Sequence, residues 1–357
     1  MLPLQTNTLQ NGVQLAYIDS FSALEPEQRP KEYTTLIGLH GVGFNSAVWT
    51  PLLPHLPPSI RFLAYNQRSY ASSSPAFNAK ELGGVDATAQ YLGDLMEFLR
   101  FAVEELGVKA KDEGGVVLMG WSKGTVLPLS LLSVLHTPAS STPSSTSYAS
   151  HPPLSSSALL PHAHLLPSHL RSLLLFEPPG SSLGRAPTAD YTTAMAAVSP
   201  PHSATADEFA EAFAGWIGGY CPPSPSSPSE KPVEDLPPSG LAALSPEVLS
   251  AAWEPQCVAH GFSWRLSSSP AEAQGIARQA LAPQEQELAY PVGLIYGKRT
   301  NGYCLDAAAT IEGWWAASEG GMKRTATWVL PETNHFAFVH EPEAFARAVV
   351  ELIEELQ

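Results

Sequence analysis

Short apolar runs alternate along this chain with longer segments whose apolar residues recur at helical spacing. The runs are QLAYI, TTLIGLH, RFLAYN, GVVLMG, SLLLFE, VGLIYG and TATWVL, each nearly continuous, as in strands buried on both faces. The apolar residues within 86–106 form one stripe of a predicted amphipathic helix, with Asp86 as its N-cap and Gly107 just past its end. Residues 342–357 repeat this pattern and predict a closing helix. The alternation predicts an α/β protein with a mainly parallel sheet and crossover helices.

Two stretches interrupt the alternation. Serine and proline dominate residues 138–167, a composition typical of a surface excursion that lacks a core of its own. Residues 178–290 lie between two predicted strands and contain helical patterns separated by proline-rich sequence. We interpret them as an inserted helical cap on a core that comprises residues 1–177 and 291–357.

The predicted cap carries an apolar helical face. Thr205 and Glu208 have the spacing of a capping box, and the helix that follows places four apolar side chains on one side: Phe209, Phe213, Trp216 and Ile217. This face either seals the cap onto the core, which is the commoner use of such a stripe, or lines a substrate pocket. Both alternatives also apply to Trp253 and Trp264. Our candidate substrate-binding residues are Trp216, Trp253 and Trp264.

Composition narrows the functional classes. The 357 residues are 44% hydrophobic, which is enough for a full core in one or two domains, and their formal charge is -15. This acidic balance argues against a nucleic-acid partner. Neither a signal peptide nor a membrane-spanning stretch is recognisable, so we expect a cytoplasmic protein. Three cysteines without C-x-x-C spacing indicate reduced thiols, and we expect neither a metal nor a cofactor.

The most informative motif is GWSKG at residues 120–124, which directly follows the strand GVVLM and opens the helix-like run TVLPLSLLSVL. Strand, G-x-S-x-G and helix in this order are typical of a nucleophile held on a sharp turn. The turn strains the backbone, so flanking glycines avoid clashes while the serine hydroxyl is exposed above the sheet. We therefore predict that Ser122 is a nucleophile.

Two further segments supply the remaining chemistry. HGVG at residues 40–43 follows the strand TTLIG and resembles an oxyanion loop, although an ordinary turn is the alternative. In acyl transfer such a loop aims backbone N–H groups at the developing oxyanion, and the predicted donors are those of Val42 and Lys123. We expect His40 to be structural. His335 lies after the strand TATWVL and before the last helix, where a general base would take the serine proton.

Six segments, in their order along the chain, resemble the α/β-hydrolase superfamily over nearly the whole length. They are LHGVGFNSAVW, YNQRSYASSSP, MGWSKGTV, LLLFEPPG, LIYG and ETNHFAFVHEPEAF. The resemblance implies a mainly parallel eight-stranded sheet flanked by helices, and a triad in the order nucleophile, acid, base. The second segment departs from the family's D-x-R-G-x-G-x-S form, because Asn66, Ser69 and Ala71 replace the aspartate and two glycines. The family's acid usually follows the strand ending in LIYG, but residues 297–301 are GKRTN and contain no carboxylate.

Because this aspartate is missing, the acid of the triad should come from the end of another strand. One branch of the superfamily includes lactone hydrolases similar to the zearalenone-degrading enzymes and some fungal acyl-thioester hydrolases, and it takes its acid from the strand before the cap. This resemblance implies Glu177, which would orient His335. The alternative is that Glu177 has only a structural role in its E-P-P turn. Asp306 is the second candidate acid, although it is also suited to capping a helix that begins at Ala307.

The nucleophile limits the reaction class, since a serine argues against the dehalogenase and epoxide hydrolase chemistry of carboxylate nucleophiles. We predict a serine hydrolase that cleaves a carboxylic ester, and the large aromatic cap favours a lactone or a bulky apolar ester. An acyl thioester is an alternative because Lys298 and Arg299 could meet an anionic group, although a solvated turn is the commoner explanation. Non-hydrolytic lyases and ligand-binding proteins also share the fold.

Overall fold

A computed structural model of the chain describes residues 1–75, 84–136, 160–196, 205–221, 231–238, 240–259, 261, 269–283, 287–318 and 322–357. Within these residues one sheet contains eight strands: β1 (Gln5–Thr8), β2 (Gln14–Asp19), β3 (Thr34–Leu39), β4 (Ile60–Tyr65), β5 (Val116–Trp121), β6 (Leu170–Phe176), β7 (Glu287–Gly297) and β8 (Lys323–Leu330). Their order across the sheet is β1-β2-β4-β3-β5-β6-β7-β8.

The sheet is parallel from β4 to β8, and β1 and β2 form an antiparallel edge. All seven apolar runs of the sequence lie at strands β2 to β8, which confirms the predicted sheet. The polar sequence QTNT of β1 carries no strand signal because its side chains are exposed or half-buried. Hydrogen bonding to β2, with Gln5 opposite Tyr17, defines this strand instead.

Helices cover the sheet and the cap region. The α-helices of the described residues are α1 (Gly84–Glu104), α2 (Val126–Leu135), α3 (Leu166–His169), α4 (Ala189–Met195), α5 (Ala206–Ile217), α6 (Pro246–Ala252), α7 (Pro270–Leu281), α8 (Gly302–Ala317), α9 (Ala337–His340) and α10 (Pro342–Glu355). In the described part of the chain, none of them is both long and apolar enough to cross a membrane.

The sequence predicts the start of two helices, and the structure confirms one prediction and contradicts the other. The capping box of α5 is confirmed, because Thr205 N donates to Glu208 Oε2 at 2.7 Å and Glu208 N donates to Thr205 Oγ1 at 3.2 Å. The prediction of Asp86 as an N-cap is wrong, since α1 already begins at Gly84. Most of the predicted excursion 138–167 lies outside the described residues.

Alternate positions of each central strand enter two apolar clusters, one on each face of the sheet. Leu118 of β5 belongs to the cluster that contains residues of α1, α2 and α8, whereas its neighbours Val117 and Met119 belong to the cluster that contains residues of α5 and α10. Because both faces are covered, these strands have continuous apolar sequences. Helix α7 belongs to the predicted cap range, yet it contributes Ala277 and Leu281 to the cluster of α1 and α2. The division into core and cap stays a prediction.

Candidate active site

The carboxyl ends of the parallel strands meet at one edge of the sheet, where loops can converge. Ser122 directly follows β5, Glu177 directly follows the adjacent strand β6, and His335 lies in the loop between β8 and α9. The chain thus brings residues that are far apart in sequence to one edge.

Ser122 occupies the strained turn that its motif predicts. Its φ is 54°, in the left-handed region, and a single turn of 3-10 helix, Ser122–Thr125, leads directly into α2. The flanking glycines are required by close backbone approach. A Cβ on Gly120 would lie 2.6 Å from the carbonyl oxygen of Gly124, and a Cβ on Gly124 would overlap the carbonyl oxygen of Leu39. Any larger residue at either position would therefore displace the turn.

Glu177 and His335 form a buried hydrogen-bonded pair. Nδ1 of His335 lies 3.2 Å from Oε2 of Glu177, and the side chains are 1% and 0% exposed. A carboxylate in this position favours the imidazole tautomer that carries its proton on Nδ1. The other ring nitrogen, Nε2, is buried and has no hydrogen-bond partner among the described residues. It is therefore left as an acceptor.

The end of β7, where the superfamily's usual aspartate is missing, holds the Glu177 carboxylate instead. Gly297 N donates to Oε1 at 2.7 Å, and Thr300 Oγ1 donates to Oε2 at 2.5 Å. Glu177 itself has a φ of 53°, a conformation that costs a residue with a side chain about 1–3 kcal/mol. Together with the bond to His335, these contacts give the buried carboxylate three hydrogen-bond donors.

Asp306, the second candidate acid, forms an ion pair with Arg185. Both its carboxylate oxygens accept hydrogen bonds from Arg185, at 2.9 and 3.0 Å, and Arg185 lowers the pKa of Asp306. The suggestion that Asp306 caps a helix is wrong. Helix α8 begins at Gly302, and Asn301 is its N-cap, so Asp306 lies within the helix.

The predicted oxyanion loop approaches the elbow closely. A Cβ on Gly41 would lie 3.1 Å from Cβ of Ser122, so glycine allows this approach. Val42, Ser122 and Lys123 together line a cavity of about 30 Å³, which is room for about one water molecule. The structure thereby brings the predicted nucleophile and both predicted oxyanion donors to one small space.

His40 has a structural environment. It is buried, its Nε2 accepts a hydrogen bond from Gln67 N at 3.0 Å, and its Nδ1 lies 3.0 Å from the carbonyl oxygen of Gly41. These partners assign the proton to Nδ1. Burial lowers the pKa of His40 to about 4, so the ring is neutral near pH 7.

A segment of the predicted cap supports the outer side of the oxyanion loop. Glu254 N donates to the carbonyl oxygen of Gly43 at 2.7 Å. The Glu254 carboxylate accepts hydrogen bonds from Asn45 Nδ2 at 2.7 Å and from Ala71 N at 2.9 Å. Gly43 has a φ of 80°, and a Cβ there would lie 2.5 Å from the ring of Trp253. The loop is thus clamped between the elbow and this segment.

Asn66 shows why the aspartate of the family motif is dispensable here. Its Oδ1 accepts from Ser46 N at 2.7 Å, and its Nδ2 donates to the carbonyl oxygen of Ala71 at 3.0 Å. An amide supplies both an acceptor and a donor, whereas an ionised carboxylate only accepts. The substitution therefore fits the pairing of this buried side chain.

The three candidate substrate-binding tryptophans have different positions. Trp216 lines the small cavity together with Phe213, Ile217 and Tyr303. Trp253 packs on Phe44, with ring centroids 4.9 Å apart, and borders a separate groove beside α5. Trp264 lies outside the described residues.

The basic pair after β7 does not form the solvated turn expected from sequence. Lys298 is exposed, but Arg299 is fully buried and forms an ion pair with Glu332 at 3.1 Å. Arg299 also donates to the carbonyl oxygens of Cys221 and Lys231, at 2.9 and 2.8 Å. Its role is therefore to tie chain segments together.

A buried thiol lies beside the pair of Glu177 and His335. Cys304 Sγ is 3.6 Å from His335 Nδ1 and 3.6 Å from the carbonyl oxygen of Glu177. Burial, and then the negative charge of Glu177, raise the pKa of this thiol well above its ordinary value. Cys304 also lines the cavity that contains Ser122, and none of the three cysteines forms a disulfide.

Comparison with known proteins agrees with the topology. No protein-family model and no curated protein matches the chain. Solved structures do match over nearly their whole length. A bromoperoxidase from Bacillus anthracis is 11% identical with a TM-score of 0.54, covering 99% of this chain and 100% of its own. An esterase from Exiguobacterium antarcticum is 14% identical with a TM-score of 0.54, covering 98% and 99%.

A thioesterase domain from the curacin biosynthetic pathway is 13% identical, with a TM-score of 0.54, covering 98% of this chain and 99% of its own. Identities this low establish the fold alone. The chain has the α/β-hydrolase fold, as predicted: an eight-stranded, mostly parallel sheet with helices on both faces.

Several residues of the candidate site carried no sequence signal. Thr300, Cys304 and Glu254 contact Glu177, His335 or the oxyanion loop only through the tertiary fold. The run GKRTN after β7 gave a partial hint, because its lack of a carboxylate marked that strand end as unusual.

Proposed function

We propose that this protein is a serine hydrolase that cleaves a carboxylic ester, with Ser122 as nucleophile, His335 as general base and Glu177 as the acid that orients it. The observation that carries the proposal is the hydrogen bond of 3.2 Å between the buried Glu177 carboxylate and Nδ1 of His335. It supports this assignment because it leaves Nε2 free to accept a proton at the edge where Ser122 stands on its elbow.

In the proposed reaction, Ser122 Oγ attacks the ester carbonyl carbon while its proton passes to His335 Nε2. Glu177 stabilises the imidazolium that forms. The N–H groups of Val42 and Lys123 would hold the oxyanion of the tetrahedral intermediate. The leaving alkoxide then takes the proton from Nε2, and a water molecule hydrolyses the acyl-enzyme by the same steps in reverse.

For the substrate we propose a lactone or a bulky, largely apolar ester. Phe213, Trp216, Ile217 and Tyr303 border the cavity beside Ser122, and this apolar lining supports an apolar acyl or alcohol group. Arg299 is engaged with Glu332, which argues against its use for an anionic thioester.

A fluorophosphonate probe tests the nucleophile. We expect the wild-type protein to be labelled once, on Ser122, and the Ser122→Ala variant to remain unlabelled at equal folded content by circular dichroism. Labelling that persists in Ser122→Ala, or no labelling of the wild type, would remove the proposal. The second result would instead favour a ligand-binding protein with this fold.

A panel of neutral lactones, p-nitrophenyl esters and acyl-coenzyme A thioesters tests the substrate class. We expect higher kcat/KM for bulky apolar esters and lactones than for the charged thioesters. The opposite ranking would favour the thioesterase alternative.

A further inference from the structure

Three donor atoms of different kinds converge beside the elbow. Nδ1 of His335, a carboxylate oxygen of Glu177 and Sγ of Cys304 all lie within 4.8 Å of one another, and all three residues are buried. Imidazole, carboxylate and thiol are the usual ligands of zinc, whose sites hold three or four of them. We propose that these residues form an inhibitory binding site for Zn²⁺ and similar thiophilic divalent cations.

The distances suit a tetrahedral ion. Ordinary zinc bond lengths of about 2.0–2.1 Å to nitrogen and oxygen and about 2.3 Å to sulfur place a nitrogen about 3.3 Å from an oxygen ligand and about 3.6 Å from a sulfur ligand. Here His335 Nδ1 lies 3.2 Å from Glu177 Oε2 and 3.6 Å from Cys304 Sγ. Two of the three spacings are therefore those of a zinc tetrahedron, and the third, between the Glu177 carboxylate and Cys304 Sγ, is within 4.8 Å. A water molecule would complete the fourth corner.

The charges also balance. A carboxylate and a thiolate together carry two negative charges, which neutralise a divalent cation in a buried setting. Gly297 N and Thr300 Oγ1 already hold the carboxylate in place, as surrounding hydrogen bonds do in protein metal sites. Cys304 lines the cavity that Ser122 lines, so an ion that enters the cavity reaches the thiol.

Binding changes the protonation of two ligands. The thiol releases its proton to solvent, because only the thiolate is a good ligand. The imidazole stays neutral, but its proton moves from Nδ1 to Nε2, because the metal occupies Nδ1. An Nε2 that carries a proton cannot accept one from Ser122, and the metal separates the imidazole from Glu177. The inhibition rests on the proposed function, whereas the binding does not.

Binding is tested without catalysis by adding CoCl₂ to the full-length protein and recording the near-ultraviolet thiolate-to-cobalt absorption band. We expect the band in the wild type and in Cys221→Ala, a control that removes a thiol outside the three-residue cluster. We expect its loss in Cys304→Ala and also in Cys304→Ser, which retains a hydrogen-bonding group in the core. A wild type without the band, or a band that survives in Cys304→Ala, overturns the proposal.

Inhibition is measured as turnover, or as the rate of fluorophosphonate labelling, across a ZnCl₂ series, with MgCl₂ as the hard-cation control. We expect zinc inhibition that a chelator reverses, and an inhibitory zinc concentration at least about 10-fold higher in Cys304→Ala. Equal zinc sensitivity in Cys304→Ala and wild type overturns the proposed inhibition. A cobalt band in a protein that neither turns over esters nor reacts with the probe supports the metal site and removes the proposed function.

Discussion

Replacing Glu177 by glutamine changes one atom of a buried group that has three hydrogen-bond donors around it. Gly297 N, Thr300 Oγ1 and His335 Nδ1 all point at the carboxylate. The glutamine oxygen can retain the bond from Gly297, which turns its NH₂ group toward Thr300 and His335. The threonine hydroxyl can rotate to accept. The imidazole can accept only in the tautomer that carries its proton on Nε2, and that tautomer cannot deprotonate Ser122.

The expected loss follows from this reversed tautomer. Aspartate-to-asparagine replacement in a serine-histidine-aspartate triad lowers kcat by about 10⁴-fold, and the same geometry predicts a similar loss for Glu177→Gln. That factor corresponds to about 5.5 kcal/mol of transition-state stabilisation. Because the two side chains have nearly the same shape, we expect the variant to fold, and thermal unfolding with circular dichroism checks this.

The assay is kcat on a saturating p-nitrophenyl ester, or the rate of fluorophosphonate labelling, with Asp306→Asn as the matched control. Asp306 pairs with a largely exposed Arg185, an interaction worth no more than about 1 kcal/mol. We therefore expect Asp306→Asn to stay within about 5-fold of wild type. A Glu177→Gln variant within 10-fold of wild type, or a loss confined to Asp306→Asn, would refute the assignment of the acid.

Three further results are expected. Glu254→Gln should lower kcat about 10-fold with little change in KM, because it loosens the clamp on the oxyanion loop; unchanged kcat would contradict this. Burial lowers the pKa of His40 from 6.5 to about 4. The neutral ring therefore contributes about 3 kcal/mol to the free energy of unfolding above pH 6.5, and this contribution is lost as the pH falls through 4. Urea unfolding across this range should show a weaker pH dependence for His40→Gln than for wild type, and equal slopes would refute it. Gly124→Ala should destabilise the protein by about 3 kcal/mol, whereas Gly215→Ala on α5, where a Cβ meets no atom within 4 Å, should be neutral or stabilising; similar melting temperatures for the two would contradict the steric argument.

The sequence by itself determined the elements whose signals are local. Continuous apolar runs identify strands buried on both faces, and seven of the eight strands follow from them. The elbow around Ser122 also carries a local signal, the G-x-S-x-G motif between a strand and a helix. Only the requirement for Gly120 is local, because a side chain at Gly124 would meet the carbonyl oxygen of Leu39 on the neighbouring strand β3. The edge strand β1 escaped prediction because it is defined by pairing with β2 and not by side-chain burial.

Contacts between distant segments were decided by the tertiary structure alone. The sequence named Glu177 and Asp306 as candidate acids, and only the fold places Glu177 beside His335 and Asp306 beside Arg185. Thr300, after the end of β7, contacts Glu177, and Cys304 of α8 contacts His335. Both contacts join residues that are too far apart in sequence for a helical or strand repeat to predict them. Hydrogen bonds act over about 3 Å in space, so the partners of a buried carboxylate are set by how the strands align at the sheet edge.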